Sequence, residues 1–149
     1  MSRPKKSPRS EFNPGNTKVA RGGNKGESFD SERIAWHINT LDIDGPWGWT
    51  KIDPGTLWDR IHDRLANLES MTWSQIKTDK KHFHSIEKTN LSKEAQQRLE
   101  EIDQDDIDEV FSLRVSGKER IFGIRDRHIL KLLWWDPNHE VCPSTMGHT

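Results

Sequence analysis

The last third of the 149-residue chain holds the side chains best suited to chemistry on a phosphate group. Arg114, Arg120 and Arg125 lie within twelve residues of one another, Lys118 lies between the first two, and His139 follows. A guanidinium stays charged and binds phosphate through paired donors, so arginines suit phosphate binding. An imidazole exchanges protons near neutral pH. These residue types therefore favour phosphate binding combined with proton transfer.

Residues 111–135 are predicted to form three β-strands joined by tight turns, which would bring these side chains together. Leu113 and Val115 alternate with polar residues, the period-two pattern of a half-buried strand. Residues 129–135 are almost entirely apolar, as expected of a central strand, and Pro137 ends it because proline cannot donate to a ladder. Turn-forming residues separate the strands at 116–119 and 126–127.

This arrangement resembles the C-terminal sheet of the RelE/ParE toxin superfamily, small proteins that include ribosome-dependent mRNA endonucleases. Members show an arginine-bearing strand, a glycine-containing turn, a strand that opens with arginine, a hydrophobic strand, and then a basic or imidazole residue. The corresponding elements here are, in order, 113–115, Gly117, 120–122, 129–135 and His139. The resemblance covers residues 110–141. It implies an α+β fold in which helices pack on one face of a RelE-like antiparallel sheet.

The resemblance also implies an endoribonuclease that needs neither a metal nor another cofactor. The substrate's own 2′-hydroxyl attacks the adjacent phosphate, and the protein moves protons and stabilises charge. Carried over by position, Arg114 and Arg120 would bind the phosphate, and His139 would be the general acid or base. The further side chains assigned to nucleic-acid binding are Lys118, Arg125, His82 and His84. The implied partners are RNA or the ribosome, and an antitoxin protein.

The register of the first hairpin decides whether the two catalytic arginines share a face. A two-residue turn would send Arg114 and Arg120 to opposite faces, would place Arg114 with Arg125, and would give one apolar face that includes Phe122 and Ile124. A three-residue loop or a β-bulge would return Arg114 and Arg120 to one side. The sequence leaves both registers open.

The helices and strand that precede this sheet in the sequence are expected to hold it in place. Residues 33–43 alternate apolar with polar and are interpreted as a first strand. Asp53 and Pro54 mark a helix start as N-cap and first helical residue, and helical spacing continues to about residue 69. Further helices are predicted at 72–77 and after an N-cap at Ser92. The helix that starts at Pro54 is expected to pack across the three-stranded meander.

Several aromatic residues have both a structural and a functional interpretation. Trp47 and Trp49 lie in a loop rich in glycine and proline; a lid over a small core is favoured over a platform for stacking bases. The chain has no tyrosine, whereas many active superfamily members carry one near the C-terminus. Trp134, Trp135 or Phe122 could stack on a base in its place but could not transfer a proton.

Charge divides the chain into a basic leader and a folded domain. Residues 1–26 carry seven basic side chains and one acidic one, a net charge of +6, although the whole chain is −1. A segment of this composition cannot bury enough apolar surface to fold alone, but it can contact phosphates. We therefore predict a disordered basic tail at 1–30, a RelE-like α+β domain at 31–144 and a C-terminal tail at 145–149.

Cysteine content and hydropathy indicate a cytoplasmic protein that does not enter a membrane. Cys142 is the single cysteine, and no apolar stretch approaches the length of a membrane span. Two alternative functions stay open. The chain could be a catalytically inert interaction module of the same fold, as gyrase-inhibiting superfamily members are. It could also be a small zinc-stabilised binding protein with ligands at His82, His84, His139 and Cys142.

Overall fold

A computed structural model describes residues 29–143 of the chain. The predictions for the basic leader and for residues 145–149 therefore concern positions outside the described residues, apart from Phe29 and Asp30. Within residues 29–143 the chain forms one five-stranded mixed sheet with several helices. The α+β class is confirmed at this level, and a RelE-like arrangement stays a prediction.

The secondary structure follows the order β-α-α-α-β-α-β-β-β. The strands are β1 (Ala35–His37), β2 (Phe83–Glu87), β3 (Glu109–Ser116), β4 (Glu119–Asp126) and β5 (Ile129–Asp136). The helices are α1 (Pro54–Thr56), which runs through a π-helical turn (Leu57–Ile61) into α2 (His62–Leu68), then α3 (Trp73–Thr78) and α4 (Lys93–Glu101). Short 3₁₀ turns occupy Trp49–Lys51 and Lys88–Asn90. The strand order across the sheet is β1-β5-β4-β3-β2.

The predicted meander of three antiparallel strands is confirmed, but the sheet as a whole is not antiparallel. β3, β4 and β5 pair consecutively and antiparallel, whereas β1 pairs with β5 in parallel. The predicted first strand is also much shorter than 33–43. The chain leaves the ladder after His37 because the Thr40 hydroxyl donates to the Leu132 carbonyl at 2.8 Å and the Asp42 carboxylate lies in the protein interior. β2 has no regular alternation and was missed.

Side-chain caps explain where the helices begin. The Asp53 carboxylate accepts a hydrogen bond at 3.0 Å from the N–H three residues later, and the Ser92 hydroxyl does the same at 3.1 Å. Thr72 opens α3 with a reciprocal capping box. Each cap satisfies N–H groups that have no partner within their own helix. The predicted starts of all three helical segments are confirmed.

The sheet carries a hydrophobic core on each face. On the first face, the helical segment α1–α2 and helix α3 pack on the sheet through Ile61, Leu68, Trp73 and Ile76, against Phe111, Leu113, Ile121 and Trp135. On the second face, α4 packs through Ala95 and Leu99 against Val110, Phe122, Ile124, Leu133 and Trp134. The helix from Pro54 thus lies across the meander as predicted. The prediction that helices cover only one face is wrong.

The sequence of strand β5 explains why a helix also covers the second face of the sheet. Its side chains alternate between the faces, so Trp134 belongs to the second core and Trp135 to the first, and both are buried. Apolar side chains on both faces of a strand are stabilised only when both faces are covered. Helix α4 provides the second cover.

A buried ion pair joins α4 to the loop after β1. Both oxygens of the Asp42 carboxylate accept from the Arg98 guanidinium at 2.8 Å, and the Trp134 indole N–H also donates to this carboxylate at 2.8 Å. The Asp42 side chain is 1% exposed. Burial alone would raise the pKa of Asp42, but hydrogen bonds from Arg98, Trp134 and the Gly45 N–H outweigh it and hold this pKa below its usual value.

Removing the cation should destabilise the fold in a pH-dependent way. We expect Arg98→Ala to lower the free energy of unfolding at pH 7 by about 3 kcal/mol, because an unpaired carboxylate is left buried. Since the folded-state pKa of Asp42 is depressed, its contribution is present above the unfolded pKa of about 3.9 and is lost as pH falls through the folded value. Urea denaturation at pH 7 and near pH 3 should therefore show a smaller difference in acid.

Glu101 provides the matched control for this prediction. It bonds the same guanidinium at 3.0 Å, but its side chain is 49% exposed. Glu101→Ala should change stability by less than about 1 kcal/mol, as is usual for an exposed pair. Equal losses in the two variants would show that burial of Asp42 does not set the strength of this pair.

Candidate nucleic-acid interface

A β-bulge in the β3–β4 hairpin brings Arg114 and Arg120 onto the same face of the sheet. The two residues are directly opposed, and the register shifts between Arg114 and Ser116, which leaves Val115 as the extra residue. Gly117 adopts a φ of +52° in the turn that follows, a conformation that glycine accepts without steric cost. The bulge is one of the two registers that the sequence left open.

The two guanidiniums converge on one backbone oxygen. Arg114 Nε donates to the Gly117 carbonyl at 2.9 Å, and Arg120 Nη1 donates to the same oxygen at 2.7 Å. Burial, together with the charge of Arg114, lowers the pKa of Arg120. Like charges directly opposite each other repel. The pair is therefore an electropositive region whose repulsion a bound anion would relieve.

Asp136, directly opposite Arg120, offsets part of the charge of the pair, and further charged side chains surround the hairpin. Arg60 forms an ion pair with Glu119, which also accepts from the Ser116 hydroxyl at 2.9 Å. Arg64 Nε donates to the Arg114 carbonyl at 2.9 Å, and Lys118 is exposed at the turn. We use the name hairpin end for the surface formed by Arg114, Lys118 and Arg120, together with the adjoining loops that carry His82 and His139.

His139 is held at the hairpin end by a buried carboxylate. Asp136, the last residue of β5, lies opposite Arg120 in the ladder. Its two oxygens accept the N–H groups of Glu140 at 3.0 Å and Val141 at 2.8 Å, which fixes the loop where His139 has a φ of +60°. Burial raises the pKa of Asp136, although the two amide hydrogen bonds oppose this. His139 thus follows the strand next to Arg120.

A second histidine borders the arginine pair on the other side. The His82 carbonyl accepts the Arg114 N–H at 2.9 Å, so His82 lies directly beside β3. Its ring Nδ1 is 2.9 and 3.0 Å from the two carboxylate oxygens of Asp79. The hydrogen bond with His82 lowers the pKa of Asp79. A carboxylate in this position fixes ring orientation and leaves Nε2 for another partner.

Sequence reasoning assigned His82 only to nucleic-acid contact and missed its pairing with Asp79. The available signal was an aspartate three residues before a histidine, in the segment that breaks the helical pattern. This spacing lets the side chains meet across one turn.

The other two predicted contact residues lie elsewhere. Both residues line a cavity of about 250 Å³ beside the edge strand β2, but His84 pairs with Ser112 and therefore lies on the second face, the face of Arg114 and Arg120. Arg125 belongs to the first face, where its guanidinium carbon lies 4.0 Å above the Trp73 ring centre. The sheet therefore separates Arg125 from the Arg114–Arg120 pair, whereas His84 lies on the same face as this pair, two ladder positions away from Arg114.

The aromatic candidates for base stacking are mostly buried. Trp47 packs on Trp134 at 5.1 Å between ring centres and donates from its indole nitrogen to Glu140 at 3.1 Å. This supports the lid interpretation. Trp134, Trp135 and Phe122 are each at most 5% exposed, so their rings are not available to a base.

The zinc alternative lacks a converging ligand set. Among residues 29–143, no three His, Cys, Asp or Glu side chains are grouped so that they could hold a metal ion. Cys142 is buried, and its Sγ lies 3.5 Å from the Asn90 carbonyl. His82, His84, His139 and Cys142 therefore do not form one site.

Comparisons with known proteins found no matching family model, no similar curated protein and no similar solved structure. Membership of the RelE/ParE superfamily therefore stays a prediction. None of the helices within the described residues is long and apolar enough to cross a membrane.

Asp136→Ala should destabilise the loop that carries His139. The buried N–H of Val141 and the partly buried N–H of Glu140 would lose their acceptor, so we expect the free energy of unfolding to fall by about 2 kcal/mol. Asn138→Ala, an exposed residue of the same loop, is the control and should change stability by less than about 0.5 kcal/mol. Urea denaturation followed by tryptophan fluorescence measures both. A neutral effect of Asp136→Ala would mean that its carboxylate does not fix the loop.

Proposed function

We propose that the protein is a metal-independent endoribonuclease that binds RNA at the hairpin end. The observation that carries this proposal is the pairing of Arg114 with Arg120 on one face, with both guanidiniums directed at the Gly117 carbonyl. Among residues 29–143, the hydrogen bonds of these two guanidiniums go to carbonyl oxygens and not to a carboxylate. The charge that the neighbouring Asp136 does not offset is therefore available to a phosphate.

The groups around the arginines support a phosphodiester as the bound anion. Cleavage by the 2′-hydroxyl requires one group to take its proton and one to protonate the leaving 5′-oxygen. His139 and His82 occupy the two sides of the arginine strands, since β2 and β5 flank β3 and β4 in the sheet. An imidazole suits either transfer near neutral pH.

The proposed reaction conserves all atoms and needs no added water in its first step. The 2′-oxygen bonds to phosphorus as its proton passes to a base, and the bond from phosphorus to the 5′-oxygen breaks as that oxygen receives a proton. The products are a 2′,3′-cyclic phosphate and a 5′-hydroxyl. Arg114 and Arg120 stabilise the charge that develops on the phosphate, and His139 acts as general acid or base.

The RelE/ParE resemblance narrows the proposed substrate and partners. It points to mRNA on the ribosome as the substrate and to an antitoxin protein as the regulator. The lack of tyrosine, together with the burial of the three aromatic alternatives, removes the usual stacking residue. Base recognition would then rest on other contacts, and the proposed enzyme would show weak sequence preference.

Cleavage of mRNA in the presence of purified ribosomes tests the proposal. We expect Arg114→Ala to reduce the rate by about 10²-fold, the usual loss for one charge-stabilising donor, and His139→Ala by about 10²-fold or more. Activity should survive a chelator. Lys93→Ala, an exposed cation at the start of α4, is the matched control and should retain full activity.

Each alternative result has a defined meaning. Undiminished cleavage by both Arg114→Ala and His139→Ala would remove the hairpin end as the active site. Wild-type protein that binds RNA without cutting it would leave phosphate binding but reject the enzyme. A wild type that neither binds nor cuts RNA would favour the inert interaction module.

A further inference from the structure

The two edge strands of the sheet differ in how far their outer sides are occupied. On the outer side of β1, the Ile34 N–H donates to the Met71 carbonyl at 3.1 Å, and residues 33 and 72 form an isolated antiparallel bridge. β2 forms the opposite edge, and among residues 29–143 it pairs with β3 alone. Ser85 and Glu87 of this strand are exposed. The edge of β2 is therefore open to a further strand.

Hydrogen bonding to β3 uses every second residue of β2. The Arg114 N–H donates to the His82 carbonyl at 2.9 Å, which identifies the even-numbered residues as the hydrogen-bonded positions. Backbone groups alternate in direction along an antiparallel pair. The N–H and carbonyl groups of Phe83, Ser85 and Glu87 therefore point away from β3, towards the open edge.

Bonds within the chain occupy two of these outward groups. The Phe83 N–H donates to the Asp79 carbonyl at 3.0 Å. The Glu87 carbonyl begins the 3₁₀ turn Lys88–Asn90, in which it accepts the N–H three residues later. The groups that remain are the Phe83 carbonyl, the N–H and carbonyl of Ser85, and the Glu87 N–H. Within residues 29–143 these remaining groups have no hydrogen-bond partner.

We propose that β2 pairs antiparallel with β2 of a second copy of the chain, with Ser85 of one copy opposite Ser85 of the other. In this register the two Ser85 residues exchange both of their hydrogen bonds, and each Glu87 N–H meets the Phe83 carbonyl of the other copy. Every remaining group gains a partner. Shifts of two residues in either direction would instead require the Phe83 N–H or the Glu87 carbonyl, which are already bonded.

A twofold dimer is the natural product of such an edge. Unpaired backbone groups on an edge strand are a template for pairing with another chain. The free groups of β2 are self-complementary, and a self-complementary patch produces a closed twofold dimer, the commonest kind of oligomer. The pairing would join the sheets of the two copies into one continuous sheet.

The charges at the edge of β2 match under the same twofold symmetry. Glu87 lies directly opposite Glu109 in the ladder, and like charges in this position repel. Lys80 and Lys81 are exposed just before β2 and have no ion pair within residues 29–143. In the proposed register Glu87 lies opposite Phe83 of the other copy, beside the two lysines that precede it. These lysines relieve the repulsion between the glutamates, once on each side of the twofold axis.

Sedimentation equilibrium of the full chain tests whether the dimer forms. We expect a weak dimer with a Kd on the order of 100 µM at low salt, because a five-residue strand buries less surface than a standard interface. Salt at about 0.5 M should weaken it several-fold, since it screens exposed charges. The N–H groups of Ser85 and Glu87 should exchange with deuterated water more slowly as the protein concentration rises.

Charge exchange tests whether β2 is the interface. Glu87→Lys should raise the Kd at least about tenfold, because it brings like charges together on both sides of the twofold axis. The same change removes the repulsion from Glu109 within each copy, so a damaged fold would not explain the loss. Adding Lys80→Glu and Lys81→Glu to Glu87→Lys should return the Kd to within about threefold of the wild-type value.

Glu100→Lys provides the matched control, since it makes the same change of charge at an exposed position on α4. It should leave the Kd unchanged. The outcome does not depend on whether the hairpin end cleaves RNA. A chain that stays monomeric throughout, a dimer that Glu87→Lys does not weaken, or a triple variant that does not regain the dimer would overturn the proposal.

Discussion

The register between β3 and β4 determines which side chains share a face, and the bulge at Val115 sets this register. Because side chains alternate along a strand, one residue of slip moves every side chain of β4 to the opposite face. The bulge places Arg114 opposite Arg120 and also sends Phe122 to the second face, where it meets α4. The candidate site and the second core therefore depend on the same extra residue.

Local patterns in the sequence were sufficient to predict most helices and strands. Features that depend on contacts between residues far apart in the sequence could not be predicted from them. Alternation and turn residues identify β3, β4 and β5, and the caps at Asp53 and Ser92 mark two helices. Neither the alternation nor the turn residues specify a β-bulge, because the residues between β3 and β4 are acceptable both in a two-residue turn and in a three-residue loop. β1 was predicted too long because the hydrogen bonds that draw Thr40 and Asp42 out of the ladder join residues far apart in sequence.

The candidate site was predictable by residue type and only partly by location. Arg114 and Arg120 lie together, which is the result expected from one of the two registers that the sequence allowed. His139 lies at the same end of the sheet. Arg125 lies on the opposite face of the sheet above Trp73, and His84 lies on the face of the arginine pair, two ladder positions away. Face and position along a strand separate these side chains, and both depend on register. Within residues 29–143 arginines therefore lie on both faces of the sheet, Arg114 and Arg120 on one and Arg125 on the other.

The most direct test of the central claim compares two RNA substrates that differ by one oxygen atom. One carries ribose at the cleavage position and the other carries 2′-deoxyribose there, and both are incubated with the protein and chelator. We predict that the first yields a 2′,3′-cyclic phosphate and that the second binds equally well but stays intact, because its nucleophile is missing. Cleavage of both substrates would contradict the account.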